Sequence, residues 1–168
     1  MNRKIVLIIT LLIFVSCKKT YDSETDFMNC IYSKNGETDT IIKNALFEHE
    51  VYLKSKGLIK GNNGEDYKKL IKDITNKTIT IDEIGKTMAV DMSALDIDII
   101  GCGKKYASQS LKARKLRALF SDILNKKKNL SEIFASYNTI VDEEDFEQSF
   151  YKVCTFVIID YYLLEFNK

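Results

Sequence analysis

The chain reads as a mainly α protein, a single compact bundle of five to six helices with one short extended segment near residues 94–100. Three observations carry that reading. Apolar residues return every three or four positions in several separate stretches, which is the period of an amphipathic helix. The 168 residues include no proline, the commonest helix breaker. The last stretch, Val153 to Phe166, is apolar nearly all round apart from Asp160 and Glu165, as a central helix wrapped by its neighbours would be.

Residues 18–26 are polar and charged without periodicity and read as a flexible tether. Phe27 to Tyr32 form a brief apolar cluster, a first short helix or packed arm, ended by the turn Ser33-Lys34-Asn35-Gly36. Asp39 is a suitable N-cap for a helix with Ile42, Ala45, Leu46, His49, Tyr52 and Leu53 on one face, ending near Gly57. Gly61-Asn62-Asn63-Gly64 then connects to a second helix from Glu65, with Tyr67, Leu70, Ile71 and Ile74 inward and Asn76 closing it. Thr80 and Glu83 have the spacing of a capping box, which predicts a helix over 81–90. Leu95-Asp96-Ile97-Asp98-Ile99 alternates at the strand period, hence the extended segment, and Gly101-Cys102-Gly103 reads as a loop. Ser108 or Ser110 opens a long helix to about Asn125, with Leu111, Leu116, Leu119, Phe120, Ile123 and Leu124 inward. Ser131 opens a shorter helix through Ile140. Asp142 opens the last, placing Glu143, Glu144 and Asp145 in the first turn, where the helix dipole favours negative charge.

The N-terminus says where the chain goes. Arg3 and Lys4 precede an apolar run from Ile5 to Val15, a secretory h-region by charge and length. The run stops at Lys18 and Lys19, well short of the roughly 20 apolar residues that a spanning helix needs. Its ending, Val15-Ser16-Cys17, resembles the lipobox of bacterial lipoproteins, and the Lys-, Ile- and Asn-rich composition is similar to the Bacteroidota style of that family. The resemblance implies cleavage before Cys17, acylation of that cysteine, and attachment to a membrane through the acyl groups. Lys18 in place of an aspartate implies the outer membrane, with the periplasmic or surface face left open. The division that follows is a signal peptide over 1–16, a lipidated cysteine and tether over 17–26, and a single helical domain over 27–168.

With Cys17 committed to lipid, Cys30, Cys102 and Cys154 remain in an oxidising compartment. Cys154 lies among Phe150, Val157, Ile158 and Tyr161 at helical spacing and reads as a small buried apolar residue. Cys30 and Cys102 are the better candidates for a disulfide, three free thiols being the alternative.

No constellation for catalysis emerges. Without Arg3 and Lys4 the chain holds 23 basic and 24 acidic residues, a balance that excludes a general nucleic-acid binder. His49-Glu50 starts an H-E-x-x-H zinc pattern, but Leu53 occupies the second ligand position, and His49 sits at the edge of an apolar face. Asp91, Asp96 and Asp98 miss the calcium-loop spacing, and no C-x-x-C pair is present, so neither a metal site nor a cofactor is expected. What stands out is residues 104–128, with nine basic residues against the single acid Asp122. From it, Lys112, Arg114, Lys115 and Arg117 form the candidate contact face, suited to an envelope protein or an anionic lipid surface. The expected function is a lipid-anchored, non-catalytic helical domain that binds or scaffolds an envelope partner. Two other readings are a membrane-tethered hydrolase with a site around His49, and an immunity-type or inhibitor lipoprotein that blocks one toxin or enzyme.

Overall fold

The computed structural model describes residues 20–32, 37–86, 88 and 99–166. The signal peptide, Cys17, Asp91, Asp96 and the extended segment over 94–98 lie outside them. Among the described residues the chain forms eight α-helices and one 3₁₀ turn, with no strand.

Helix α1 (Asp22–Tyr32) begins five residues before Phe27, so the second half of the expected tether is folded. Its inward positions are Glu24, Phe27, Met28 and Ile31, a helical period whose first member is a carboxylate. A search for apolar periodicity therefore starts counting one turn too late. Helix α2 (Glu37–Ser55) starts two residues ahead of Asp39 and buries Ile42, Leu46, His49, Glu50 and Leu53. It ends in a Schellman motif: Gly57 takes a φ of 70°, Leu58 N–H donates to Leu53 O at 3.0 Å, and Gly57 N–H donates to Lys54 O at 3.0 Å.

Helix α3 (Gly64–Thr75) is capped by Asn63, whose side chain accepts from Asp66 N at 3.0 Å. Asp66 reaches back to the backbone N–H groups of Lys60 and Gly61 at 3.2 and 2.9 Å, fixing the connection. Tyr67, Leu70, Ile71 and Ile74 are buried as the spacing predicts, and Asn76 is the C-cap. Helix α4 (Ile81–Ile84) has the expected capping box, but it lasts a single turn rather than reaching residue 90. Gly85 stops it by turning left-handed at φ 66°, and Tyr52 OH donates to Ile84 O at 2.9 Å.

Helix α5 (Ile99–Ala107) overturns two expectations at once. Residues 99 and 100 are helical rather than extended, and Gly101-Cys102-Gly103 lies inside a helix rather than a loop. Glycine is a poor helix former, costing about 1 kcal/mol relative to alanine. Packing overrides that cost here, since Cys102 and Tyr106, one turn apart, are both buried and Cys102 is bonded to Cys30 of α1. Helix α6 (Leu111–Leu124) is capped by Ser110 and buries Ala113, Leu116, Leu119 and Ile123. Leu111 and Leu124, expected inward, are 61% and 71% exposed because both fall off that stripe. Helix α7 (Leu130–Ile140) opens on a capping box between Asn129 and Glu132 and buries Ile133, Phe134 and Tyr137.

The acidic run does not open the last helix. Asp142 precedes only a 3₁₀ turn, Glu143–Glu147, Gln148 is extended, and helix α8 (Ser149–Phe166) starts afresh. Phe146 explains the break: it is buried and stacks on Tyr67 of α3, ring centroids 5.0 Å apart. The turn lies so close to α3 that a Cβ on Gly64 would sit 2.0 Å from Glu143 O. Helix α8 is buried over most of its circumference, at Phe150, Tyr151, Cys154, Thr155, Phe156, Ile158, Ile159, Tyr162 and Leu163, with Val153, Val157, Asp160 and the exposed Leu164 along its more open side. It touches α2, α4, α7 and the 3₁₀ turn, while α3 packs along α7 and α1 along α5. One cluster of buried apolar side chains runs from α2 through α8, with Tyr21, Phe27 and Met28 packed against it.

Candidate contact face and buried polar pairs

Helix α6 divides its cations between two environments. Leu116, Leu119 and Ile123 mark its inward stripe, and Lys112 sits one turn before Leu116 on that same stripe. Its side chain is accordingly only 24% exposed. Lys112 Nζ meets Asp145 Oδ2 at 2.5 Å, stands 3.8 Å from Asp142 Oδ2, and lies over the Tyr151 ring at 5.5 Å from the centroid. Asp145 is wholly buried and also accepts from the backbone N–H of Asp142 at 2.7 Å. Lys112 thus locks α6 to the 3₁₀ turn and leaves the contact face grouped from the sequence.

Arg114, Lys115 and Arg117 remain outside. All three are exposed, as are Ala118 and Ser121 between them and the leucines Leu111 and Leu124 at the two ends. They make no ion pair with a carboxylate among the described residues. The sequence from Ile99 to Ser121 contains no acid at all. Lys104 and Lys105, in the last turn of α5, are exposed too. Further along, Lys127 and Lys128 turn to Asp122 at 3.9 and 3.1 Å, so two cations at that end share one carboxylate.

His49 is 1% exposed, packed edge-on against Phe156 with ring centroids 4.5 Å apart and beside Tyr52 at 6.0 Å. Its neighbour Glu50 belongs to a buried polar group, four positions after Leu46 and three before Leu53 on the inward stripe of α2. Glu50 Oε1 accepts from Tyr67 OH at 2.7 Å and from Lys152 Nζ at 3.0 Å, and Lys152 also donates to Asn62 O at 2.7 Å. This ties α2, α3 and α8 together. Burial, reinforced by the Glu50 charge, pushes the Tyr67 hydroxyl well above its ordinary range, so it stays a donor.

A second buried carboxylate, Glu24 of α1, accepts from Tyr151 OH and, at 3.4 Å, from Tyr106 OH. Burial raises both phenols far above their usual values. Cys30 and Cys102 are joined by a disulfide with Cα atoms 5.8 Å apart, close to Phe27, which packs on Tyr106 and Phe150 at 5.1 and 5.5 Å. Cys154 is a buried free thiol, pushed up by burial. Among the described residues no group of three His, Cys, Asp or Glu side chains converges as a metal site would. No described helix is long and apolar enough to cross a membrane.

Sequence periodicity held a signal for each of these buried groups. Glu24 lies three positions before Phe27 and seven before Ile31, and Lys112 lies four before Leu116. A polar residue in register with an apolar stripe is the mark that all of them share. No protein-family model matches the chain, and neither curated proteins nor solved structures match it.

Proposed function

We propose that the protein is an acyl-anchored cell-envelope lipoprotein of the outer membrane whose single helical domain is non-catalytic and makes contact with an envelope component through the outward face of α6. The observation that carries this reading is the division of α6. One cation is committed inward to a buried aspartate, while Arg114, Lys115 and Arg117 stand outside with no acid in the surrounding stretch. Cations that serve only solubility are ordinarily interspersed with acids, and these are not. The buried polar pairs favour a structural reading, since each ties one helix to another. Nor does His49, at 1% exposure, give a hydrolase site that a substrate can reach.

Two measurements test the proposal. Cys17→Ser is expected to release the protein from membranes and abolish labelling with a palmitate analogue; persistent labelling would assign the lipid to another residue. A photo-crosslinking residue at Ala118, exposed amid the three cations, is expected to capture an envelope component in intact cells. That capture should disappear in Arg114→Glu/Lys115→Glu/Arg117→Glu, and unchanged capture would remove the face from the argument.

A further inference from the structure

We infer that the component met by the outward face of α6 is the anionic headgroup layer of the membrane that carries the anchor; this rests on the lipoprotein reading above. The composition of the face points that way. Its exposed side chains are Arg114, Lys115 and Arg117, the small residues Ala118 and Ser121, and Leu111 and Leu124 at the ends. Cations reach phosphate oxygens, exposed leucines enter the boundary between headgroups and acyl chains, and small residues let the helix lie flat. Lys104 and Lys105 add two cations across the short turn between α5 and α6.

Position brings the domain within reach of that layer, and charge sets its orientation. Tyr21, the residue before α1, donates from its hydroxyl to Glu144 O at 3.0 Å and has its ring 6.4 Å from that of Tyr151, which the inward Lys112 Nζ reaches at 5.5 Å from the centroid. The chain therefore leaves toward Cys17 beside the 3₁₀ turn, which Lys112 links to the first turn of α6. The four residues from Cys17 to Tyr21 reach at most about 14 Å. An anchor so short holds this end of the molecule near the lipid surface. Glu143 and Glu144 are exposed on the 3₁₀ turn past Lys112 and carry the opposite charge. Attraction to anionic headgroups thus selects the orientation that turns α5 and α6, not the 3₁₀ turn, toward the membrane.

The chain contains no tryptophan, so Leu124→Trp provides a single reporter on the face. The acylated full-length variant is reconstituted into phosphatidylcholine vesicles with and without phosphatidylglycerol. Emission is expected to shift to the blue, and to be quenched by brominated lipid, only when phosphatidylglycerol is present, and high salt should reverse the change. Adding Arg114→Gln, Lys115→Gln and Arg117→Gln should weaken docking by roughly a hundredfold, at about fivefold per cation, and abolish the response. A chain that stays on both kinds of vesicle with identical emission would overturn the inference while leaving the anchor intact. A chain that does not remain on phosphatidylcholine vesicles contradicts the anchor instead. The headgroup inference is then decided by whether that chain still binds phosphatidylglycerol vesicles.

Discussion

Lys112 and Arg114 stand two positions apart on one helix and belong to different parts of the protein. Lys112 is in register with Leu116, Leu119 and Ile123, and it delivers its charge to an aspartate that water does not reach. Arg114, Lys115 and Arg117 are rotated away from that stripe and meet solvent. A run of cations read as one feature is therefore two. The inward member should govern stability and the outward members contact, and each set should leave the other property nearly untouched.

The largest expected effect comes from attacking the turn that carries the inward pair. Gly64→Ala places a methyl group where Glu143 O already lies, which forces the 3₁₀ turn off α3 and disturbs Asp145 with it. A loss of about 3 kcal/mol or more is expected in denaturant unfolding. Next in size is Lys112→Ala, which leaves Asp145 buried without its cation and should cost about 3 kcal/mol. Replacing the pair together as Lys112→Met/Asp145→Asn should recover much of that loss, because no charge is then stranded. If the double variant unfolds as readily as Lys112→Ala, packing rather than charge explains the effect.

Asp160 shows what a half-buried carboxylate does without a lysine. Both its oxygens accept from the backbone N–H of Met88 at 3.0 Å, yet burial raises its carboxyl to about 6, the Met88 bond offsetting only part of the shift. Its folded value thus lies above the unfolded one of 3.8, so the stability it contributes is fully present below that lower value and is lost as pH rises through about 6. The wild type should gain stability on Asp160's account between neutral pH and pH values near 4. Asp160→Asn should flatten that slope when unfolding midpoints are compared across the interval. A slope that survives the substitution would assign it to another group.

Smaller effects belong to the helix ends. Helices α2, α3 and α6 all close in Schellman motifs, but only α2 has glycine at the left-handed position. Lys77 and Lys126 hold φ values of 59° and 53°. Lys77→Gly and Lys126→Gly should each stabilise by about 1 kcal/mol, read as a shift in the unfolding midpoint. Lys126→Gly also removes a cation from the far end of the basic stretch without touching the outward face.

These particulars account for what the sequence revealed. Helix α3 was legible throughout because its inward positions are all apolar and Asn63 and Asn76 bound it. Helix α1 was legible only from Phe27 onward, since Glu24 fills the preceding inward position and is tolerated there by two tyrosine hydroxyls more than 80 residues away in the chain. Two glycines disguised α5, and the propensity they lower was outweighed by packing against α1. The acids at 142–145 have the right sign for a helix start. Yet Asp145 is drawn inward to Lys112 and Phe146 to Tyr67, and such long-range partners leave no trace in local spacing. On the contact face, charge alone located α6, but only the helical register separates Lys112 from the other three.

The most direct test of that separation is crosslinking yield from Ala118 in intact cells, compared between two variants of α6. In Lys112→Met/Asp145→Asn the inward pair is gone and the outward face is intact, so capture should match the wild type. Arg114→Glu/Lys115→Glu/Arg117→Glu should lose capture while unfolding at the wild-type midpoint. Capture that survives the outward variant, or that vanishes with the inward one at unchanged stability, would contradict the account.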